Sequence, residues 1–496
     1  MFIEKIKIHD YKILQDIELS FNKEFDRKLF PVGSQNGGGK STLLQLVFTF
    51  LHCSFEISKH EYLQNLFEDI ELSEDENYRE IAGFQIFDGE KTVDLDFFIV
   101  KNKFNNIIER NESLIKIITS LKKGNSNIQN DINDYLHKIK YIDANIEIIK
   151  NYRESIVNTK NEKAKNEQVN SLIDFFDKDL KVSIGDDDRL IINDGIYIMQ
   201  FVEKEIERYN KRIDEFQLRI KDNLKIINVS EFLLSKKYFI KLKNADIHGY
   251  EFFLSSNSLS NNPLSDFLKK ISEKVFLASP LTQIYHFLAK TTRKSFFQFN
   301  DAKQSPKSIS QEANKQTPNN YYESLDNSKQ FLKNFYTYDY VIVERLKDLL
   351  KTLRDKDTEI GIETGIFGTN FNNFLNELNE VFVNKTFKPS KDLQNIYFKL
   401  NNIEKEFSPE DLSHGELKYL SIYLWLKINN ITDGIVLMDE LENNLHPDWQ
   451  FEIARDLIKW TPDNQFIIAT HSYELCNAVT PAHVQELEPK LLKIDK

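Results

Sequence analysis

Cysteine is almost missing from this sequence: 496 residues contain two, Cys53 and Cys476. Neither belongs to a CxxC pair or to a Cys/His cluster with metal-ligand spacing, which makes a disulfide framework or a zinc site improbable. A reducing cytoplasm is the expected setting. Long apolar runs are missing too. None approaches the roughly 18 residues needed to cross a bilayer, and Met1-Phe2-Ile3-Glu4-Lys5 mixes charge into its first apolar residues, unlike a secretory leader. No membrane partner is expected. There is no excess of positive charge either. A net charge of −12 gives no support to a chain coated for non-specific DNA binding, although a local lysine patch would escape a whole-chain count. What the chain does have is apolar content, 41%, enough to bury a large core in one domain with insertions or in two to three domains.

The first hundred residues alternate short apolar segments with one helix. Phe2 to Ile8, Leu14 to Leu19 and Leu29 to Val32 have strand character, Ser41 to His52 helical character, and Ile81–Phe87 with Thr92–Val100 form a hairpin around Asp88-Gly89. From residue 102 to 235 the pattern becomes charged and helical. Ile128, Ile132, Tyr135, Ile139, Ile142, Ile146 and Ile149 make one heptad seam. Val202, Ile206, Tyr209, Ile213, Phe216, Ile220 and Ile227 make another, beyond a polar stretch with Gly185-Asp186-Asp187-Asp188. The pair predicts an antiparallel helical hairpin with arms of about 40 Å, or else two amphipathic helices packed on a globular body. Residues 236–390 are mixed and largely helical, with a mobile loop expected near 298–328 where polar residues dominate. Residues 391–496 return to alternating strand and helix, and no convincing internal repeat is visible.

The chemistry is carried by short strings. Gly33-Ser34-Gln35-Asn36-Gly37-Gly38-Gly39-Lys40-Ser41-Thr42 follows an apolar strand and opens a helix, the context of a phosphate-binding loop. Backbone N–H groups of Asn36 to Thr42 converge on phosphate oxygens, Lys40 reaches the β and γ phosphates, and Ser41 holds Mg²⁺. The first glycine of the usual GxxxxGK[ST] spacing falls on Ser34, so the loop either tolerates serine there or carries one extra residue. Gly434 to Glu440 is an apolar strand ending in two carboxylates, suited to Asp439 as a magnesium ligand and Glu440 as the base for an attacking water. Ser413-His414-Gly415-Glu416 opens a helix as a capping box. The same exposed helix end, with Ser413 and Gly415, can meet a γ-phosphate. Leu441 to Pro447 then leads to the strand Phe466–Ala469, which ends at His471, placed to sense the γ-phosphate.

This ordered set resembles the ATP-binding-cassette class of ATPases, and within it the branch of SMC, Rad50, RecF and OLD proteins. The resemblance covers residues 1–100 and 390–496. It implies an α/β P-loop NTPase head of ABC/SMC type, with an N-terminal half (residues 1–101) and a C-terminal half (391–496) split by a helical, coiled-coil-like insertion. It also implies ATP and Mg²⁺ as cofactors and two heads sandwiching nucleotide, with Ser413 and Gly415 acting on the partner's site and the Glu442–Pro447 loop at the seam. His414 stands where transporters commonly carry glycine. The glutamine of that class has two candidates here, Gln85 and Gln283.

The strings FPVGSQNGGGKSTLLQLVF and LSHGELKYL are most similar to the ATPase subunits of Septu-type and retron-associated antiphage systems. Those subunits resemble multimeric regulators that hold an HNH-type nuclease subunit, with nucleic acid, DNA or retron RNA/DNA, as a further possible partner. Only 25 residues follow His471, too few for the Toprim nuclease domain of OLD-type proteins, and no nuclease cluster occurs elsewhere. Cleavage is therefore expected of a separate chain. Two other functions remain open: a DNA-repair ATPase of the RecF or Rad50 kind that grips DNA itself, and a nucleotide-sensing scaffold with negligible turnover.

Overall fold

A computed structural model describes residues 1–35, 37–67, 70, 72–105, 114–158, 182–184, 190–192, 196–242, 249–288, 327, 329–339, 341–366, 368–382, 384–393, 395–401 and 405–487. The chain divides into two compact units, Met1–Asn102 with Lys236–Lys496, and Lys103–Ser235.

In the first unit, β1 (Phe2–Tyr11) and β2 (Leu14–Ser20) form an antiparallel hairpin. Alternation buries Ile6, Ile8, Ile17 and Leu19 on one face. Then β3 (Leu29–Gly33) leaves for a different sheet and is followed by α1 (Lys40–Cys53) and α2 (His60–Phe67). The chain returns as the hairpin β4 (Tyr78–Phe87) and β5 (Thr92–Lys101), with β4 beside β1. Its turn is fixed by the Asp88 carboxylate, which accepts the N–H groups of Glu90 and Lys91 at 2.8 and 2.9 Å, while Gly89 takes φ 108°.

The second unit follows in sequence. Its helices α3 (Leu114–Asn158) and α4 (Ile198–Ser235) flank a small antiparallel sheet, β6 (Val182–Ile184), β7 (Leu190–Ile192) and β8 (Ile196–Tyr197). Contacts of Lys122 with Glu231, Asn125 with Asn223 and Tyr135 with Phe216 run in opposite chain directions, so the helices are antiparallel. Ile128, Ile132 and Ile213 are buried between them, with Tyr135, Ile139, Phe216 and Ile220 alongside. Helices of 45 and 38 residues reach about 65 and 55 Å, longer than the 40 Å their apolar seams suggested, because the helices continue past the heptads. Asp186, Asp187 and Asp188 lie outside the described residues.

Back in the first unit, β9 (Tyr238–Lys241) and β10 (Tyr250–Ser256) complete the antiparallel sheet in the order β2-β1-β4-β5-β10-β9. After α5 (Asn261–Lys274), β11 (Val275–Ala278) and β12 (Phe335–Tyr336) enter the second sheet. Residues 236–390, set apart in the sequence, thus supply strands to both six-stranded sheets of this unit. The polar stretch 298–328 lies outside the described residues except for Asn327. Helices α6 (Val341–Thr364) and α7 (Thr369–Val381) lead to a three-stranded sheet, β13 (Lys385–Pro389), β14 (Ile396–Leu400) and β15 (Glu406–Phe407). The chain ends as α8 (His414–Ile428), β16 (Ile435–Asp439), α9 (Pro447–Trp460), β17 (Gln465–Thr470), the short α10 (Tyr473–Asn477) and β18 (Gln485–Glu486). The second sheet has the order β12-β11-β16-β17-β3-β18 and all its pairings are parallel.

Helix α1 is buried along nearly its whole length, which is why its sequence is apolar all round rather than on one stripe. One apolar core joins α1 with the antiparallel sheet and with Ile435, Leu437, Ile467 and Ala469 of the parallel one. A second core takes the other face, Val436, Met438, Phe466 and Ile468, against α6 to α9. Parallel strands covered on both faces need continuous apolar runs, as found here. The Gln465 side chain ties the two sheets, exchanging hydrogen bonds of 2.7 and 2.9 Å with the Ile3 backbone.

Phe50 of α1 is fully buried and stacks on Phe97 at 4.4 Å and on Phe252 at 5.8 Å. Phe50→Ala is expected to lower unfolding free energy by about 3–5 kcal/mol, measured as a fall in the urea midpoint.

Candidate active site

Strand register sets the layout. Thr470 pairs with Gly33 and Ala469 with Asp439, so β3, β17 and β16 end side by side. Open parallel sheets present ligands with this carboxyl edge. The loop after β3, the turn after β16 and the residue after β17 surround a cavity of about 350 Å³ lined by Ile13, Gly37, Gly38, Gly39, Lys40, Ser41, Thr42, Asp439, Glu440, Ala469 and His471. Nine of the predicted site residues therefore meet in one place: Gly37 to Thr42 from one segment, Asp439 and Glu440 from a second, and His471 from a third. Asn36 lies outside the described residues.

Gly33 is the last residue of β3, so the loop begins at Ser34 and keeps the ordinary spacing, with serine tolerated at its first position. Both the Ser34 carbonyl and hydroxyl accept from the Lys40 ammonium at 3.1 Å. Serine brings a steric demand. A Cβ on Gly38 would come within 2.3 Å of the Ser34 hydroxyl, and one on Gly39, at φ 87°, within 2.8 Å of Ile13 and Leu14. Lys40 also lies 2.9 Å from Nε2 of His471. Burial pulls the Lys40 pKa down, against the opposing charges of Asp439, Glu442 and Glu440.

Asp439 is 3% exposed. Burial, with Glu440 and Glu442 nearby, pushes its carboxyl up to about 6, while the Ser41 hydroxyl bonded to it and the Lys40 charge pull the other way. A hydroxyl and a carboxylate side by side, both hard oxygen donors, fit a magnesium ion. Glu440 takes φ 50°, rare for a residue with a Cβ. Glu440 lines the cavity, and the Asn443 amide donates to its carboxylate at 2.7 Å.

Glu442 is a residue whose part in the site the sequence did not show. One carboxylate oxygen accepts the His471 backbone N–H at 2.7 Å, fixing where the histidine leaves β17. The other oxygen is buried and has no partner among the described residues. Spacing after Asp439 was the available signal, but only folding brings Glu442 to residue 471.

Ser413 and Gly415 do not line the cavity. They sit at the N-terminus of α8, where Ser413 and Glu416 form the capping box and Glu416 pairs with Lys385 of β13. A Cβ on Gly415 would stand 2.7 Å from the Asn444 carbonyl, so glycine lets the helix end approach the turn after β16. Of the two glutamines, Gln85 lies on the exposed face of β4, whereas Gln283 follows β11 and accepts from the Gln45 amide of α1.

A glycine loop opening a helix, with Lys40 in it and an Asp-Glu pair one strand beyond its neighbour, defines a P-loop nucleoside-triphosphatase site. The chain belongs to the family described as "AAA domain, putative AbiEii toxin, Type IV TA system", which it matches over residues 153–477. That span holds helix α8, the strand into Asp439-Glu440, and His471. The loop lies outside it but inside the cavity. A stretch of 51 residues is 41% identical to the retron Ec83 probable ATPase of Escherichia coli, covering 10% of this chain and 9% of that one. Over 110 residues the chain is 29% identical to the Septu protein PtuA of Bacillus mycoides (strain KBAB4), covering 21% and 15%. The matched stretches thus span 9–15% of these relatives' lengths. Among solved structures, the Smc head domain of Pyrococcus furiosus with an extended coiled coil, bound to the C-terminal domain of ScpA, aligns at 10% identity and TM-score 0.30 over 96% of this chain and 92% of that one. Among the described residues no helix is long and apolar enough to cross a membrane.

The raised Asp439 pKa has a consequence for stability. The folded carboxyl releases its proton at a higher pH than an unfolded one, so its favourable contribution is complete below the ordinary value of 3.8 and lost as pH rises through about 6. Asp439→Asn is expected to stabilise the nucleotide-free protein at pH 8 by on the order of 1–3 kcal/mol and to have little effect near pH 4. Denaturant melts at both pH values check this. An equal effect at both would contradict the buried-charge account.

Proposed function

We propose that the chain binds and hydrolyses Mg²⁺-ATP in this cavity, and that it is the ATPase subunit of a cytoplasmic antiphage defence complex. The observation that carries the reading is the meeting of Lys40, Ser41, Asp439, Glu440 and His471, drawn from distant parts of the sequence, around one cavity.

The backbone N–H groups of Gly37 to Thr42 and the Lys40 ammonium take the charge of the phosphates. Ser41 and Asp439 would hold magnesium, which would supply positive charge to the phosphate group. Glu440 accepts the proton of a water whose oxygen bonds to the γ-phosphorus as the bond to the bridging oxygen breaks. His471, beside Lys40, is placed to hydrogen-bond the γ-phosphate and to register its loss. The exposed α8 N-terminus lies off this cavity, and it suits a second copy's γ-phosphate, so two heads would face each other across nucleotide.

Kinship in sequence with retron and Septu ATPases supports the defence role. We assign the cleavage step to a separate HNH-type nuclease bound by this chain, with DNA or retron RNA/DNA as a further partner.

Glu440→Gln is expected to cut ATP turnover by about a hundredfold or more while ATP binding is kept. Lys40→Ala is expected to weaken binding itself. Equal turnover of wild type and Glu440→Gln would overturn the mechanism. For the defence role, the test is co-purification with a nuclease encoded nearby, together with phage resistance after deletion. Absence of both effects rejects it.

A further inference from the structure

Lys418 sits on the second turn of α8 and is 5% exposed. Its ammonium donates to the backbone carbonyls of Glu440 at 3.1 Å and Asn443 at 2.9 Å, and lies 4.3 Å from the centroid of the Tyr338 ring. No carboxylate comes within ion-pair distance of it among the described residues. Glu440 and Glu442 act on it only at longer range, and burial outweighs them, pulling its pKa to about 8.

A buried cation neutralised by no direct partner is costly, and an apolar side chain of similar length would fill the same space more cheaply. Everything this cation holds belongs to one turn. That turn contains the strained φ of Glu440, and its carbonyl also accepts the Asn443 N–H at 3.3 Å. Tyr338 braces the arrangement from behind. Its hydroxyl lies 3.0 Å from the Asp439 carbonyl and 3.2 Å from the Ala278 carbonyl and shares its one proton between them, joining the ends of β16 and β11. Burial and the Asp439 charge hold the phenol well above its ordinary pKa, so it stays a donor. Tyr338 itself has φ 51°, a conformation kept only where surroundings impose it.

We propose that Lys418, braced by Tyr338, is a positioning residue for ATP hydrolysis: its ammonium locks the Glu440–Asn443 turn and thereby aims the Glu440 carboxylate at the attacking water. The proposal rests on the ATPase function above. Because Lys418 is rooted in the helix that Ser413 caps, it links that helix to the turn carrying Glu440.

The test compares Lys418→Met, Lys418→Arg and Tyr338→Phe with wild type in steady-state ATP hydrolysis, alongside amide hydrogen exchange of residues 440–445. Lys418→Met is expected to lower kcat by about tenfold or more with KM for ATP changed by less than about threefold, and to speed exchange in the turn but not in β16. Lys418→Arg restores part of kcat, and Tyr338→Phe, which keeps the ring but loses the hydroxyl, lowers it by about threefold. A Lys418→Met kcat within about twofold of wild type overturns the proposal. So does a matching loss of kcat and of ATP binding. If Lys418→Met does not fold, an unchanged kcat in Tyr338→Phe overturns it instead. If wild type itself turns over no ATP, the ATPase function fails separately, and unchanged exchange in the turn of a folded variant still rejects the lock.

Discussion

The parallel register of β17 between β3 and β16 is the constraint on which everything at the site depends. It brings Gly33, Asp439 and Thr470 to one edge although hundreds of residues separate the first from the others. A slip of one residue would turn Phe466 and Ile468 toward the wrong core and carry Asp439 away from Ser41. Two apolar cores, one on each face of the sheet, oppose that slip. The hydrophobic effect therefore sets the chemistry: it fixes the register, and the register fixes which polar atoms meet.

Having gathered them, the fold must balance their charge in a place poor in water. Lys40, Lys418 and Asp439 are all buried, and Glu440 and Glu442 stand close by. Burial is why Asp439 holds its proton unusually well and Lys40 and Lys418 give theirs up more readily, and the opposite charges nearby offset that shift only in part. One Glu442 oxygen is buried with no hydrogen-bond partner among the described residues. Hydrogen bonds between charged groups and backbone, from the Lys418 ammonium to the Glu440 carbonyl and from the His471 N–H to the Glu442 carboxylate, convert this electrostatic cost into fixed geometry.

Much of the site was legible as contiguous strings. A loop that cradles phosphate needs glycines, a lysine and a hydroxyl at fixed spacing, because the local backbone does the work, and Gly37 to Thr42 supply it. The strand into Asp439-Glu440 and the strand into His471 were legible for the same reason: apolar runs end where the sheet does. Ser34 posed a choice of two loops that only the position of Gly33 in β3 decided. Lys418 and Tyr338 carried no signal at all. A lysine on an otherwise apolar helix and a tyrosine beyond a polar stretch gain meaning only from the carbonyls they reach.

By itself the sequence determined the local structures: which segments are strands and helices, which loop suits phosphate, and which carboxylates stand at a strand end. Periodicity and turn chemistry act over a few residues, so they survive without the rest of the molecule. Tertiary structure alone decided that residues 236–390 feed strands into both six-stranded sheets, that Gln283 rather than Gln85 lies beside α1, and that Lys418 reaches Glu440. Pairings between distant segments are chosen by which faces must be buried together, and that choice exists only once the whole chain competes for the same core.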